Sequence, residues 1–207
     1  TFDYPVMHGK ALARHAGISY YSTSASALTA IPHSVNAVDY ILGKQKLTRI
    51  GTGKQTVDFP TFTPQQRQML ADYVSSGGNL LVSGAYITSD EAADNDFLKN
   101  TLHIKPASRR ATRSGKLTVG ISGTQQAAQL LTEPNTQTIH CENPDGIAPA
   151  DSESKACARY KDSFIAAGVM HNHTDSVGKT IVFSFPLESL QDFTATYTEA
   201  VNWIVSE

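Results

Sequence analysis

The chain of 207 residues is long enough for one well-formed core and falls within the ordinary size of a single domain. With 40% hydrophobic residues, 17% charged residues and a net charge of -2, it presents no basic surplus for nucleic acid or for an acidic membrane surface. No apolar run approaches the roughly 18 residues a membrane span needs, so neither a nucleic-acid partner nor a membrane span is expected.

The first residue is Thr1, and the sequence reads at once as mid-protein. The expectation is a single α/β domain over residues 1–207 that is a piece of a longer chain. A short helix is expected around Gly9–Ala16, closed by Gly17, then a strand over Ile18–Ser22 and a second over Val35–Leu42 that ends at Gly43. Lys44 to Thr61 reads as a long polar surface connection. Thr63 is an N-cap with Pro64 at the first helical position, and Met69, Leu70, Tyr73 and Val74 recur at helical spacing. Gly77-Gly78 stops that helix, and the wholly apolar run Leu80–Val82 predicts a strand covered on both faces.

Downstream, Glu91–Asn100 predicts a helix and the basic run His103–Arg113 a solvated loop. Lys116–Ile121 and Gln137–Cys141 predict strands, with a short helix over Gln125–Leu131 between them. Ala156–Tyr160, Phe164–His171 and Lys179–Phe185 predict strands joined by turns at Asp162-Ser163 and at Ser176-Val177-Gly178, so hairpins are expected there. Thr194–Val205 predicts a closing helix with Tyr197, Val201, Trp203 and Ile204 inward. Val38–Leu42, Leu80–Val82 and Ile181–Phe185 are expected as central strands of a three-layer, mostly parallel sheet with an antiparallel hairpin portion.

In open α/β sheets, ligands sit beyond the carboxyl ends of the parallel strands. That rule selects Gly43, Ser83-Gly84-Ala85-Tyr86, Asp90 and Glu188. The Ser83–Tyr86 junction is built like a nucleophile elbow, although Ala85 and Tyr86 at its tip are not acyl-transfer nucleophiles. Glu188, just past the apolar strand, reads either as a crevice carboxylate or as a helix N-terminal carboxylate. His171, His173 and Asp175 are candidates for a metal set on one strand face, against the plainer reading of polar residues near a turn; no metal and no cofactor are expected. Cys141 and Cys157 fit a disulfide in an exported protein, with two unrelated buried thiols as the alternative.

The phrases FDYPVMHGKAL, AGISYYSTS, VDYILGKQK, YVSSGGNLLVSGAYITSD, ENPDGIAP, ARYKDSFIAAGV and VFSFPLESL run in order along the chain. They resemble the domain of Bacteroidetes envelope proteins labelled xanthan lyase or N-acetylmuramoyl-L-alanine amidase-like, a relative of the class I glutamine amidotransferase-like, flavodoxin-like fold. The resemblance implies an elbow cysteine and a late His-Pro-Glu set. Here Tyr86 stands at the cysteine position and Pro186 at the histidine position, while Glu188 keeps the glutamate. The resemblance therefore implies a pseudoenzyme without glutamine hydrolysis, in a secreted or envelope (periplasmic or surface) protein. It also implies an upstream strand that this chain lacks.

The leading expectation is a non-catalytic or cryptic module associated with polysaccharide or cell-wall processing. Its crevice would hold a carbohydrate or small polar ligand, and other domains of the parent chain would be its neighbours. The alternative is a hydrolase cutting a glycan or amide bond with Asp90 and Glu188 as acid and base, or with Ser83 as nucleophile. A structural spacer is the third reading.

Overall fold

The computed structural model describes residues 4–15, 17–89, 95–134, 139–172 and 177–206. In chain order these form α1 (Tyr4–Leu12), β1 (Ala37–Gly43), β2 (Thr48–Ile50), β3 (Val57–Phe59), α2 (Pro64–Ser75), β4 (Asn79–Gly84), α3 (Asp96–Asn100) and β5 (Ile104–Ser108). There follow β6 (Lys116–Val119), β7 (Gln126–Gln129), β8 (Gly146–Pro149), β9 (Ser154–Tyr160), β10 (Ala166–His171), β11 (Thr180–Phe183) and α4 (Phe193–Val205).

The Thr63-Pro64 signal is realised as a capping box. Gln66 N–H donates to Thr63 Oγ1 at 3.2 Å, and Thr63 N–H donates to Gln66 Oε1 at 2.8 Å. Helix α2 then buries Met69, Leu70, Tyr73 and Val74, and the chain reverses through Gly77 at φ 92. It emerges as β4, buried from Leu80 to Gly84.

β4 lies between β1 and β11 and is parallel to both. Period-2 alternation divides its side chains between two apolar clusters. Leu81 joins Ile181 and Phe183 beneath α1 and α4, whereas Leu80 and Val82 join Tyr40, Leu42 and Val182 beneath α2 and α3. The closeness of this packing shows at Gly178, where a Cβ would lie 2.0 Å from Gly78 O.

Beyond β11 the direction changes. The sheet continues β10-β9-β6-β7 through antiparallel pairs, with β8 pairing β10 and β5 pairing β8. The result is an α/β domain on a curled mixed sheet. The expected mostly parallel sheet is corrected: only the β1-β4-β11 portion is parallel, and the remaining strands, among them the consecutive pairs β6–β7 and β9–β10, pair antiparallel. β4 and β11 are internal as expected, but β1 stands at the edge of the path.

Other expectations change with context. Ile18–Ser22 forms no strand: Tyr20 and Tyr21 are exposed, and the Tyr20 hydroxyl donates to Gly9 O at 2.9 Å. The Lys44–Thr61 connection carries an exposed two-stranded hairpin, β2–β3, joined by a bidentate Arg49–Asp58 pair. The helix placed over Gln125–Leu131 is strand β7, because pairing with β6 overrides the weak helix preference of QAAQ. Part of the basic run is strand β5, and ENPDGIAP contains β8, which no sequence pattern marked. Of the strand expected over Gln137–Cys141, residues 139–141 are irregular and 137–138 lie outside the described residues. Helix α3 begins at Asp96 with Asn95 as its cap, residues 91–94 of the expected helix lying outside the described residues. Helix α4 buries Tyr197, Val201 and Ile204 as expected, with Trp203 half-buried against the same cluster.

Cys141 and Cys157 are buried free thiols rather than a disulfide. Cys157 Sγ lies over Gly168 on the neighbouring strand, 3.0 Å from where a Cβ would stand. Cys141 is buried in the same apolar cluster as Cys157, with Glu142 and Lys44 close enough to act on its thiol electrostatically. Burial pushes both thiols up to about 12, which also removes them as nucleophiles at neutral pH. Unfolding the unreduced protein should release two titratable thiols per chain, as many as the sequence holds; finding none would restore the disulfide.

Candidate functional site

In β1, Val38 and Tyr40 face the α2 side, so Asp39 between them faces α1 and α4. Helix α1 places His8 one turn after Tyr4, and its imidazole is buried between two acids. His8 Nδ1 donates to Asp39 Oδ2 at 2.6 Å, and Nε2 lies at ion-pair distance, 3.1 Å, from Glu188 Oε1. The Tyr197 hydroxyl of α4 donates to the same Asp39 Oδ2 at 2.7 Å. The Tyr197 ring meets the imidazole edge-on at 4.5 Å and Phe193 lies at 5.0 Å, which closes the imidazole off from water while Asp39 stays partly exposed. Glu188 sits on a single 3-10 turn after β11 with only 2% exposure, and its Oε2 has no hydrogen-bond partner among the described residues.

Burial alone would lower the His8 pKa. The charge and hydrogen bond of Asp39, reinforced by Glu188, overcome it and raise the pKa to about 9. At neutral pH His8 is therefore an imidazolium. Burial followed by the Asp39 charge pushes the Tyr197 phenol far above its ordinary value.

Around this knot stand the carboxyl ends of the parallel strands. Gly43 adopts φ 57 with the Tyr4 ring against it, 2.9 Å from where a Cβ would be. Burial and then the Glu188 charge push the Tyr4 phenol up to about 12. Gly84 is required by Leu42, whose Cβ would lie 2.5 Å from a Cβ there. The elbow after β4 is real as backbone: Ala85 N–H donates to Gly43 O at 2.8 Å, and Tyr86 holds φ 63, a left-handed conformation seldom adopted by a bulky residue.

Asp145 braces that turn. Its Oδ2 accepts from Thr88 N–H at 2.8 Å and Ser89 N–H at 2.9 Å, and burial keeps its pKa above the ordinary value against these hydrogen bonds. The rim is polar. Lys44 Nζ donates to Glu142 Oε1 at 2.8 Å, His140 Nε2 lies 2.8 Å from the same oxygen, and Lys46 Nζ stands 5.7 Å from the centre of the half-buried Tyr86 ring.

The sequence-selected residues Gly43, Ser83, Gly84, Ala85, Tyr86 and Glu188 thus do gather at the strand ends. Their environment is closed rather than open. Ser83 has 0% exposure, its hydroxyl has no partner among the described residues, and Glu188 is committed to His8. Glu188 does stand in the first turn of a short helical segment, the plainer of its two expected positions, and there its carboxylate meets His8. Asp90 lies outside the described residues, as do His173 and Asp175; His171 is buried at the far end of the sheet, beside His103 and Asp151. Sequence reasoning missed Tyr4, His8, Asp39, Asp145 and Tyr197. The available signals were a carboxylate inside the apolar run Val38–Leu42 and a Tyr-His pair at helical spacing in YPVMH.

No family model matches the chain, and no curated protein matches it. Among solved structures it is similar to the mmIFT52 N-terminal domain at 11% identity, covering 99% of this chain and 91% of that one, with a TM-score of 0.57. It is also similar, with a TM-score of 0.45 and 14% identity, to the exo-beta-1,4-mannosidase Op5Man5 from Opitutaceae bacterium strain TAV5, over 70% of this chain and 24% of that one. A third neighbour is the beta-galactosidase from Bacillus circulans sp. alkalophilus, with a TM-score of 0.42 and 11% identity over 68% of this chain and 20% of that one. The chain thus spans about a quarter or less of either glycosidase. These findings correct the resemblance to the class I glutamine amidotransferase-like domain of Bacteroidetes envelope proteins. No family model supports it, the neighbour aligned over nearly the whole chain is the mmIFT52 domain, and the sheet mixes parallel with antiparallel strands.

The His8 knot carries a pH signature. The folded pKa near 9 exceeds the ordinary histidine value of 6.5, so the stabilisation is complete below 6.5 and disappears as pH rises through 9. Its size is on the order of 3 kcal/mol. Urea unfolding near pH 6 and near pH 10 should show wild type losing that much more stability than His8→Gln. Equal losses would contradict the ion pairing.

Proposed function

We propose that the chain is a non-catalytic α/β module of a secreted or envelope protein associated with polysaccharide or cell-wall processing, and that its strand-end rim receives a small polar or sugar ligand. The observation that carries this reading is the double engagement of His8. The buried imidazole of His8 is already protonated and clamped between Asp39 and Glu188, so it cannot take a proton from a nucleophile at neutral pH. Ser83 is buried without a base beside it among the described residues, and Cys141 is held as a thiol. The rim supplies what polar-ligand recognition uses: the Tyr86 ring, the cations Lys44 and Lys46, and His140 with Glu142 as hydrogen-bonding groups. We read the β1-β4-β11 half, with helices against both faces, as a three-layer arrangement that sets this rim; the two apolar clusters support it.

Titration calorimetry against neutral and acidic mono- and oligosaccharides, including cell-wall fragments, tests the proposal. Binding should weaken about tenfold or more in Tyr86→Ala, the scale of losing one well-packed aromatic contact, while the melting temperature holds. Turnover of glycoside or amide substrates that vanishes in Ser83→Ala or Glu188→Gln would overturn the reading in favour of a hydrolase.

A further inference from the structure

At the opposite end of the sheet lies a second polar group. Strand register gathers it: Ile104 pairs with Pro149, and His171 pairs with both Ser154 and Thr180, itself opposite Leu80 at the start of β4. His103 just before β5, Asp151 just after β8 and His171 at the end of β10 therefore meet beyond the amino ends of the parallel strands. His103 Nδ1 is 2.9 Å from Asp151 Oδ2, while His171 Nδ1 is hydrogen-bonded to Ser154 Oγ at 3.1 Å and lies 3.7 Å from Asp151 Oδ1, so an ion would take the place of both hydrogen bonds. The two imidazoles stack with centroids 3.6 Å apart and planes 5° from parallel. One donor atom from each of the three residues lies within 4.8 Å of the others.

Several features set this group apart from an ordinary hydrogen-bonded surface cluster. His103 holds φ 57, a left-handed backbone that L side chains adopt reluctantly, and this places its ring over His171. The residue is only 9% exposed, and its Nε2 is buried with no hydrogen-bond partner among the described residues.

Asp151 is oriented from behind. Its Oδ1 accepts from Ser154 N–H at 2.8 Å, Ser154 Oγ at 2.7 Å and Glu153 N–H at 3.1 Å, the kind of outer support that aims a ligating carboxylate. Its exposed side makes a path from solvent. An ion held tetrahedrally at about 2.0–2.1 Å needs donors about 3.4 Å apart. The His–Asp separations of 2.9 and 3.7 Å bracket that spacing.

We propose that His103, Asp151 and His171 form a binding site for a divalent transition-metal ion of the zinc class. Two imidazoles and one carboxylate match the preference of such ions for nitrogen with one oxygen, and they leave a coordination position for water or a further ligand. Binding displaces the proton between His103 and Asp151. It also tilts the stacked rings apart, since each nitrogen lone pair lies in its ring plane. The site stands away from the Tyr86 rim and does not depend on the function proposed there.

Titration of the metal-stripped protein with Zn2+, and with Co2+ followed by its visible spectrum, tests the site. Wild type should take up one equivalent with micromolar or tighter affinity and gain melting temperature in Zn2+. His103→Asn, which tolerates the left-handed backbone, and His171→Gln should each weaken binding by about tenfold or more, with unchanged circular dichroism in chelator. If His103→Asn does not fold, Asp151→Asn with His171→Gln carries the same comparison. Affinity weaker than about 1 mM, or variants that bind as wild type does, would overturn the proposal and leave the uptake to other histidines such as His33.

Discussion

An imidazolium enclosed by two acids sets the terms for this structure. His8 belongs to the first helix, Asp39 to the edge strand of the parallel portion, Glu188 to the turn after the last strand, and Tyr197 to the last helix. Their meeting ties the chain's beginning to its end across the sheet. Burying this many ionisable groups is tolerated only while the charges answer one another. Removing one partner from such a set commonly costs about 3–5 kcal/mol, because the remaining charge stays buried without compensation. Helix α1 depends on this anchor, since its buried residue is His8 rather than an apolar side chain.

The same arrangement shapes what the strand ends can do. A left-handed Tyr86 and a braced turn provide the backbone of an elbow, while the buried imidazole of His8 is already paired with Asp39 and Glu188. The Tyr4 ring covers Gly43, and a close ladder from Leu42 through Gly84 leaves no room for a side chain. What remains accessible is the rim, where Lys44, Lys46, His140 and Glu142 lie near an aromatic face.

Local rules made part of this legible. The Thr63-Pro64 start, the stripe Met69-Leu70-Tyr73-Val74 and the apolar run after Gly78 each obey short-range physics, and the helix–strand unit they describe is present. The strand-end rule likewise located Gly43, Tyr86 and Glu188. Long-range pairing was not legible. Gln126–Gln129 has the composition of a helix and becomes a strand because β6 offers hydrogen bonds, while Gly146–Pro149 carries no alternation and pairs because β5 and β10 flank it. The Cys141–Cys157 bridge failed for a similar reason. Closeness in sequence says nothing of whether two thiols buried in one apolar cluster come within bonding reach of each other. His8 escaped notice because a lone histidine on an apolar helix face acquires meaning only when Asp39 and Glu188, distant in sequence, converge on it.

The protonation state of His8 is where this account can be tested most directly. Nitrogen-15 NMR of the imidazole ring, followed across the neutral and alkaline range, reads both ring nitrogens separately. Both should remain protonated at neutral pH, with the transition to neutral imidazole centred near 9. A single protonated nitrogen at neutral pH, titrating near the ordinary histidine value of about 6.5, would show that the two carboxylates do not hold a cation between them.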